Sequence, residues 1–291
     1  MDKNMEKDLR IINELLKITA FLEEEYVFSG NDAYPPFLEG TARKSYYYLY
    51  TLHQLINDEK NGDAVIDLSR SLLESMIVVM WVQEFGKEQK AKKMLMYAPI
   101  EAWSDGEYAI EVGIDLPAEA LEARKNDLES VKDDYLRPTK KELAIKEAKK
   151  AIAQLGKLGV SLTETQLHEF TDAMTDGKSD EEVINKSWAG VDLETMMHQL
   201  GEKGKFKGNL KSSFGKIYTF GNRKNHLSPN DIDLLLADND RKKRNQNYNI
   251  NIGIYVSLLS YIKITIELAK LKKDDELKKK LEALQDKLLS R

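Results

Sequence analysis

The sequence has no cysteine, which removes disulfides, thiolate metal sites and a cysteine nucleophile together and fits a reducing compartment. Histidine is nearly as scarce: the four lie scattered at 53, 168, 198 and 226, so a histidine metal cluster would have to be assembled by the fold. Neither a metal nor a cofactor is expected, because no G-x-x-x-x-G-K-[ST] loop, strand-borne G-x-G-x-x-G, H-E-x-x-H pair or EF-hand loop occurs. Long apolar runs are missing too. Met76 to Val82 is too short to span a bilayer, and Ile250 to Leu268 carries Asn251, Lys263 and Glu267, so both read as core segments. The first residues alternate charge with apolar side chains where a secretory signal needs a continuous apolar run. A cytoplasmic protein without a membrane partner is the expectation. There is no excess of basic charge: the net charge is −5, so a nucleic-acid partner would have to be held by a local patch.

What is present is helical periodicity. Composition is that of a globular chain, 42% hydrophobic and 32% charged over 291 residues. Apolar residues recur at three- and four-residue steps over 5–28, about 37–57 and 64–85, and a further helix is expected over 86–104. The stretch 118–156 is rich in Ala, Glu, Lys and Leu and is interrupted at Arg137 and Pro138. It reads as a charged, kinked helical hairpin projecting from the middle of the chain. Thr163 with Gln166 and Ser179 with Glu182 carry the spacing of capping boxes. Later helices are expected over 192–201, 209–226, 229–238, 247–270 and 273–290. The alternation of Ile250, Ile252 and Ile254 suits a strand, but no partner strand is evident and the segment is read as helix. No fixed-period repeat or low-complexity linker divides the chain. The fold class is therefore all-α: a multi-helix bundle in one domain, 1–291, with the hairpin as an insertion.

Three features carry possible chemistry. Asp67, Arg70, Ser71 and Glu74 share one face of an otherwise apolar helix; that stripe either faces water or lines a cleft. Tyr218, Asn222 and His226 are spaced by four, and Ser228–Pro229 then starts a new helix, which sets His226 at a junction. An imidazole there can serve as general acid or base with Asn222 and Tyr218 as hydrogen-bonding neighbours, or can satisfy backbone groups at the junction. Around it lie Lys203, Lys205, Lys207, Lys211, Lys216, Arg223 and Lys224, interleaved with Phe206, Phe214, Tyr218 and Phe220. Arg241, Lys242, Lys243 and Arg244 follow. Such a mixture contacts phosphates and stacks bases, and equally forms a solvated helix face over a core.

The segments R-S-L-L-E at 70–74, S-W-A-G at 187–190 and Y-x-x-x-N-x-x-x-H-x-S at 218–228 resemble an uncharacterised all-helical family of bacteria and archaea. That family carries Arg-x-x-x-Glu, Trp with Gly, and Tyr-x-x-x-Ser-x-x-x-His; here Asn222 stands where it has Ser. The resemblance implies a helical fold and a site near these residues, with no assigned reaction. A more distant similarity is to the HEPN superfamily, which includes metal-independent ribonucleases of toxin and antiphage systems. Their Arg precedes His by four to six residues, whereas Arg223 precedes His226 by three, so the dyad is not reproduced. The similarity implies His226 as the proton-transfer residue of an RNA-cleaving protein, with Arg223 or Arg70 stabilising phosphate charge. RNA is then the expected partner, and the face bearing Arg70 and Glu74 should approach the one bearing Asn222 and His226. The other reading is a non-catalytic helical interaction module working through its charged helices at 118–155 and 273–290, on itself or on a protein partner. Far-UV circular dichroism should report helix in more than about half of the residues; a dominant sheet signal would overturn the fold class.

Overall fold

A computed structural model of the chain describes residues 3–24, 30–56, 61–157, 159–179, 183–184, 187–205 and 238–290, with Ser212, Gly215 and Ile217. Among these the fold is all-α, and the sheet is confined to one antiparallel pair of two-residue strands. In chain order the helices are α1 (Lys3–Ile18), α2 (Tyr34–Leu55), α3 (Gly62–Glu84), α4 (Lys87–Leu95), α5 (Ala98–Glu111), α6 (Ala118–Val131), α7 (Lys140–Lys157), α8 (Glu164–Thr175), α9 (Leu193–Glu202), α10 (Asn239–Lys272) and α11 (Asp275–Leu289). The strands are β1 (Leu136–Arg137) and β2 (Val183–Ile184). Two compact units result: Met1–Leu95 with Val191–Arg291, and Met96–Gly190. The charged stretch 118–156 forms part of the second.

The first unit is built on α10 lying along α3. The two run parallel, because Asp63 meets Asn249 (3.3 Å), Ser69 meets Ser257 (2.9 Å) and Gln83 meets Glu267 (2.6 Å) in the same order along both. Small residues permit the close approach. A Cβ placed on Gly253 would lie 2.6 Å from Val65 Cγ1 and 2.8 Å from Ser69 Oγ, and the Ser69 hydroxyl reaches both Val65 O and, at 2.8 Å, Gly253 O. This is why Ile250, Ile252 and Ile254 are helical. Ile250 and Ile254 are both buried, and a 34-residue helix satisfies its own backbone in a core where a lone strand would have no partner. By length and composition α10 is apolar enough to cross a membrane, yet 78% of its apolar window is buried in this protein. It is accounted for as a core helix.

α2, α11 and α1 pack around that pair. Lys273, at φ 57° in the left-handed region, ends α10, and the Asp274 carboxylate then accepts the Leu277 amide at 2.9 Å. The chain reverses within two residues, so that Leu277, Leu281, Leu284 and Leu288 of α11 are all buried. α1 is shorter than its periodicity suggests. It stops at Ile18, where the Thr19 hydroxyl donates to Leu15 O at 2.7 Å and pairs with the buried Tyr261 hydroxyl at 2.7 Å. Burial pushes the Tyr261 phenol well above its ordinary pKa, with the Thr19 bond opposing, so this end of the core holds a neutral hydrogen bond. Nearby, Glu39 is 1% exposed and is met by Arg43 at 3.0 Å and Lys272 at 3.1 Å. Arg43 also donates to the carbonyls of Leu22 and Glu24, tying the segment after α1 onto α2. The amides of Ala33 and Tyr34 at the start of α2 find their acceptor in Glu88 of α4, more than fifty residues away.

The second unit is centred on Tyr97, Ile100, Leu128 and Tyr135, with Trp103 and Trp188 packed against them. The tyrosine rings meet edge-on, 5.2 Å apart. The helix expected over 86–104 is divided: α4 ends at Leu95 and α5 begins at Ala98 with Pro99 in its first turn, where a missing amide hydrogen does no harm. α5 then runs on to Glu111 and packs against α6; α7 packs against α8. The interruption at Arg137–Pro138 is present as β1, and the capping box at Thr163 and Gln166 is formed. At Ser179 the expectation of a helix start is not met. Val183 and Ile184 pair with Arg137 and Leu136 as strand, and Ser179 O accepts the Lys141 amide at 3.2 Å.

Gly253→Val should destabilise the first unit by about 2–3 kcal/mol, because added carbons meet Val65 and Ser69 in a seam with no space. Urea unfolding measures it; an unchanged midpoint would mean the helices separate without loss.

Candidate nucleic-acid interface

On α3 the apolar majority turns inward, so Ser69, Leu72, Leu73 and Met76 are buried and the polar stripe is left at the side. Arg70 Nε donates to Glu74 Oε1 at 2.8 Å with both side chains partly exposed. Ser71 donates back to Asp67 O at 3.2 Å, which fixes its hydroxyl on the helix itself. Partial burial raises the Asp67 carboxyl pKa and the Arg70 guanidinium pulls it back down. Arg70 and Glu74 are thus joined along one helix, and the Asp67 carboxylate is exposed at the flank of α3.

Further along α3, Trp81 is buried; its indole N–H donates to Gln199 of α9 at 2.6 Å, and Lys90 sits 4.5 Å from the centre of its ring. This contact fixes α9 against α3. Past the end of α9, the exposed Lys205 lies 3.8 Å from Glu84. Lys211, Lys216, Tyr218, Asn222, Arg223, Lys224 and His226 lie outside the described residues. Of the two faces expected to converge, only that of Arg70 and Glu74 is described.

The second basic cluster is described in full. Asp238 caps α10 by accepting the Arg241 amide at 2.7 Å, and Arg241, Lys242, Lys243 and Arg244 fill the turns that follow. Arg241, Lys243 and Arg244 are exposed. Asp238 and Asp240 supply the anions that the macrodipole favours at this end, and the four cations follow them. Tyr248, exposed, falls on the same side of α10 as Arg241 and Arg244. Because α10 and α3 are parallel and Gln246 lies against Gly62, this cation–aromatic face is at the end where α3 begins, and Arg70 follows about 12 Å further along by helix rise.

Two features were not picked out from the sequence. Tyr248 stands among asparagines, which obscures its helical spacing from Arg241 and Arg244. The run N-Q-N-Y-N-I-N at 245–251 also hides buried amides: Gln246 Oε1, Asn247 Oδ1, Asn249 Oδ1 and Asn251 Oδ1 have no hydrogen-bond partner. Polar residues in a helix suggest solvent, and only packing reveals that these are enclosed. Trp188, from the Trp-Gly signature, belongs to the aromatic core of the second unit, so its role there is packing. No group of His, Asp and Glu suited to a metal occurs among the described residues. The chain matches no family model, no curated protein and no solved structure.

Arg70→Ala and Glu74→Ala should each change stability by no more than about 0.5 kcal/mol, the usual range for an exposed pair four residues apart. Thermal unfolding decides; a loss above about 1.5 kcal/mol would make the stripe a structural element.

Proposed function

We propose that this protein binds RNA in a stress or antiphage setting, and that it cleaves the bound strand with His226 moving the proton. The observation that carries the binding half is the face of Arg241, Arg244 and Tyr248 at the positive end of α10. Guanidinium groups neutralise phosphates, an exposed phenol ring stacks on a base, and the helix terminus adds to the local positive potential. Lys211, Lys216, Arg223 and Lys224 extend the same charge along the chain. The cleavage half rests on the resemblance of the Tyr218, Asn222 and His226 spacing to the two helical families. Arg70, engaged by Glu74, has to exchange that partner for a phosphate before it contributes.

A non-catalytic interaction module is the competing reading. Against it, the leucines of α11 are buried in the chain's own first unit, and its outer charges are matched within the helix, Lys280 to Glu276 at 2.7 Å and Lys278 to Glu282 at 3.8 Å. That helix offers little apolar seam to a second coil.

Alanine at Arg241, Lys242, Lys243 and Arg244 should weaken binding of single-stranded RNA and flatten its dependence on salt, since fewer counterions are released. The same holds for alanine at Lys211, Lys216, Arg223 and Lys224. His226→Ala should abolish cleavage of a mixed RNA pool while leaving affinity within about twofold, because proton transfer acts in the transition state. Wild-type protein that neither binds RNA in a salt-dependent way nor cleaves it would establish the interaction-module reading instead.

A further inference from the structure

The C-terminal end of α5 and the turn beyond it expose an unusual surface. Tyr108, Ile110, Val112 and Ile114 are 65%, 50%, 51% and 56% exposed. Four large apolar side chains within seven residues are more than scattered surface hydrophobics account for. The segment is not a frayed end. Gly113, at φ 81°, donates its amide to Ile110 O at 3.0 Å, and Ile114 donates to Ala109 O at 2.8 Å. That pair of bonds is the left-handed glycine termination of a helix, and it holds Val112 and Ile114 in fixed positions. On the opposite flank Gly106 is packed against Arg124 of α6, whose guanidinium end lies 2.9 Å from where a Cβ would stand. The helix is thereby seated with Glu101, Asp105, Tyr108 and Val112 aligned along its exposed side.

Along this stretch of sequence the charge has one sign, and Arg124 of α6, which donates to Ala102 O at 3.0 Å, meets α5 on the opposite flank. Residues 101–115 include Glu101, Asp105, Glu107, Glu111 and Asp115 and no lysine or arginine. None of the five carboxylates closes an ion pair among the described residues. The last turn of α5 has no basic residue, although the carbonyl end of a helix is where cations are favoured and anions are not. The field of the helix and that of the side chains add, so the patch is both apolar and strongly negative. Nucleic acid and anionic membranes are repelled by it. A cationic segment with an apolar face matches both properties at once.

We infer that the end of α5, through Tyr108, Val112 and Ile114 within a rim of Glu107, Glu111 and Asp115, is a docking surface for a lysine- or arginine-rich amphipathic helix of a partner protein. The surface is independent of the RNA reading, lying on a different unit and carrying the opposite charge. Binding places the partner's apolar residues on Tyr108, Val112 and Ile114 and its cations against the carboxylates and the carbonyl end of α5.

The test uses the full chain and a synthetic leucine/lysine amphipathic peptide, with a leucine/glutamate peptide as control, followed by fluorescence anisotropy. Two triple variants are compared: Tyr108→Ser with Val112→Ser and Ile114→Ser, and Glu107→Gln with Glu111→Gln and Asp115→Asn. All six side chains are exposed, so circular dichroism should be unchanged in both. Each variant should bind the lysine peptide about tenfold more weakly, and the second should also lose the salt dependence seen with wild type. The proposal is overturned if wild type does not bind the lysine peptide, if both variants bind it as wild type does, or if the glutamate peptide binds equally well. Self-association in sedimentation that the apolar variant abolishes would also overturn it, in favour of a second copy of this chain as the occupant.

Discussion

The first unit depends on how closely α10 can approach α3. Gly253, Ser69 and Ser257 set that distance, and both helices are apolar on more than the side that meets the other. Parallel helices gain nothing from a short connection, since the chain must return across the molecule to begin the second one. Their pairing therefore rests on packing and on the hydroxyl bonds across the seam. The hydroxyls of Ser69 and Ser257 there reach backbone carbonyls and each other, so these two small polar residues allow close approach with their own donors satisfied. α2, α9 and α11 are placed by contact with one member of the pair or the other.

Two carboxylates are buried in this unit among the described residues, Asp8 of α1 and Glu39 of α2. Glu39 is enclosed, and an enclosed carboxylate without partners would be costly; Arg43 and Lys272 supply them from α2 and from the end of α10. Lys272 also lies 4.5 Å from the Phe21 ring centre. The group joins the turn after α1, the middle of α2 and the last turn of α10, three places far apart in the chain. Substituting Glu39 alone leaves two cations with some access to water, whereas removing Arg43 strands the buried carboxylate on Lys272. The second change is the more damaging by the asymmetry of buried pairs.

Much of the fold was legible because it is local. Periodicity placed α2, α3, α9 and α11 nearly where they stand, and Thr163 with Gln166 announced the start of α8 correctly. The misses have physical reasons. Pro99 reads as a helix interior and is a helix start, and Ser179 carries the letters of a cap while its carbonyl serves Lys141 and Val183–Ile184 form strand. α10 was shortened because basic and amide residues at 239–248 look like a linker; they are helical through burial of Asn249 and Ile250 against α3. The Arg70 and Glu74 stripe was legible as a face, and its internal pairing was one of the two alternatives. Exposure at Tyr108 to Ile114 could not be read, since an apolar run near a helix end looks like core until its neighbours are known.

Both candidate surfaces set a cluster of charge of one sign beside an exposed aromatic ring near a helix end, with opposite signs. α10 opens on Asp238 and Asp240, the anions a helix favours there, and its four cations follow, whereas α5 ends among carboxylates where a helix favours cations. The helices differ at their termini: α11 opens with Asp275 and Glu276 and carries Lys287 in its last turn, and α4 opens with Glu88 and closes with Lys92 and Lys93, while α3, α6, α8 and α9, like α5, have no basic residue in the last turn. A helix terminus that opposes its own dipole is less stable by a few tenths to about 1 kcal/mol, and a bound group of opposite charge restores that loss. In both readings a ligand of opposite charge meets the cluster, and the aromatic or apolar side chains beside the charge, Tyr248 on α10 and Tyr108 on α5, supply the contact that distinguishes a recognised partner from a diffuse ion.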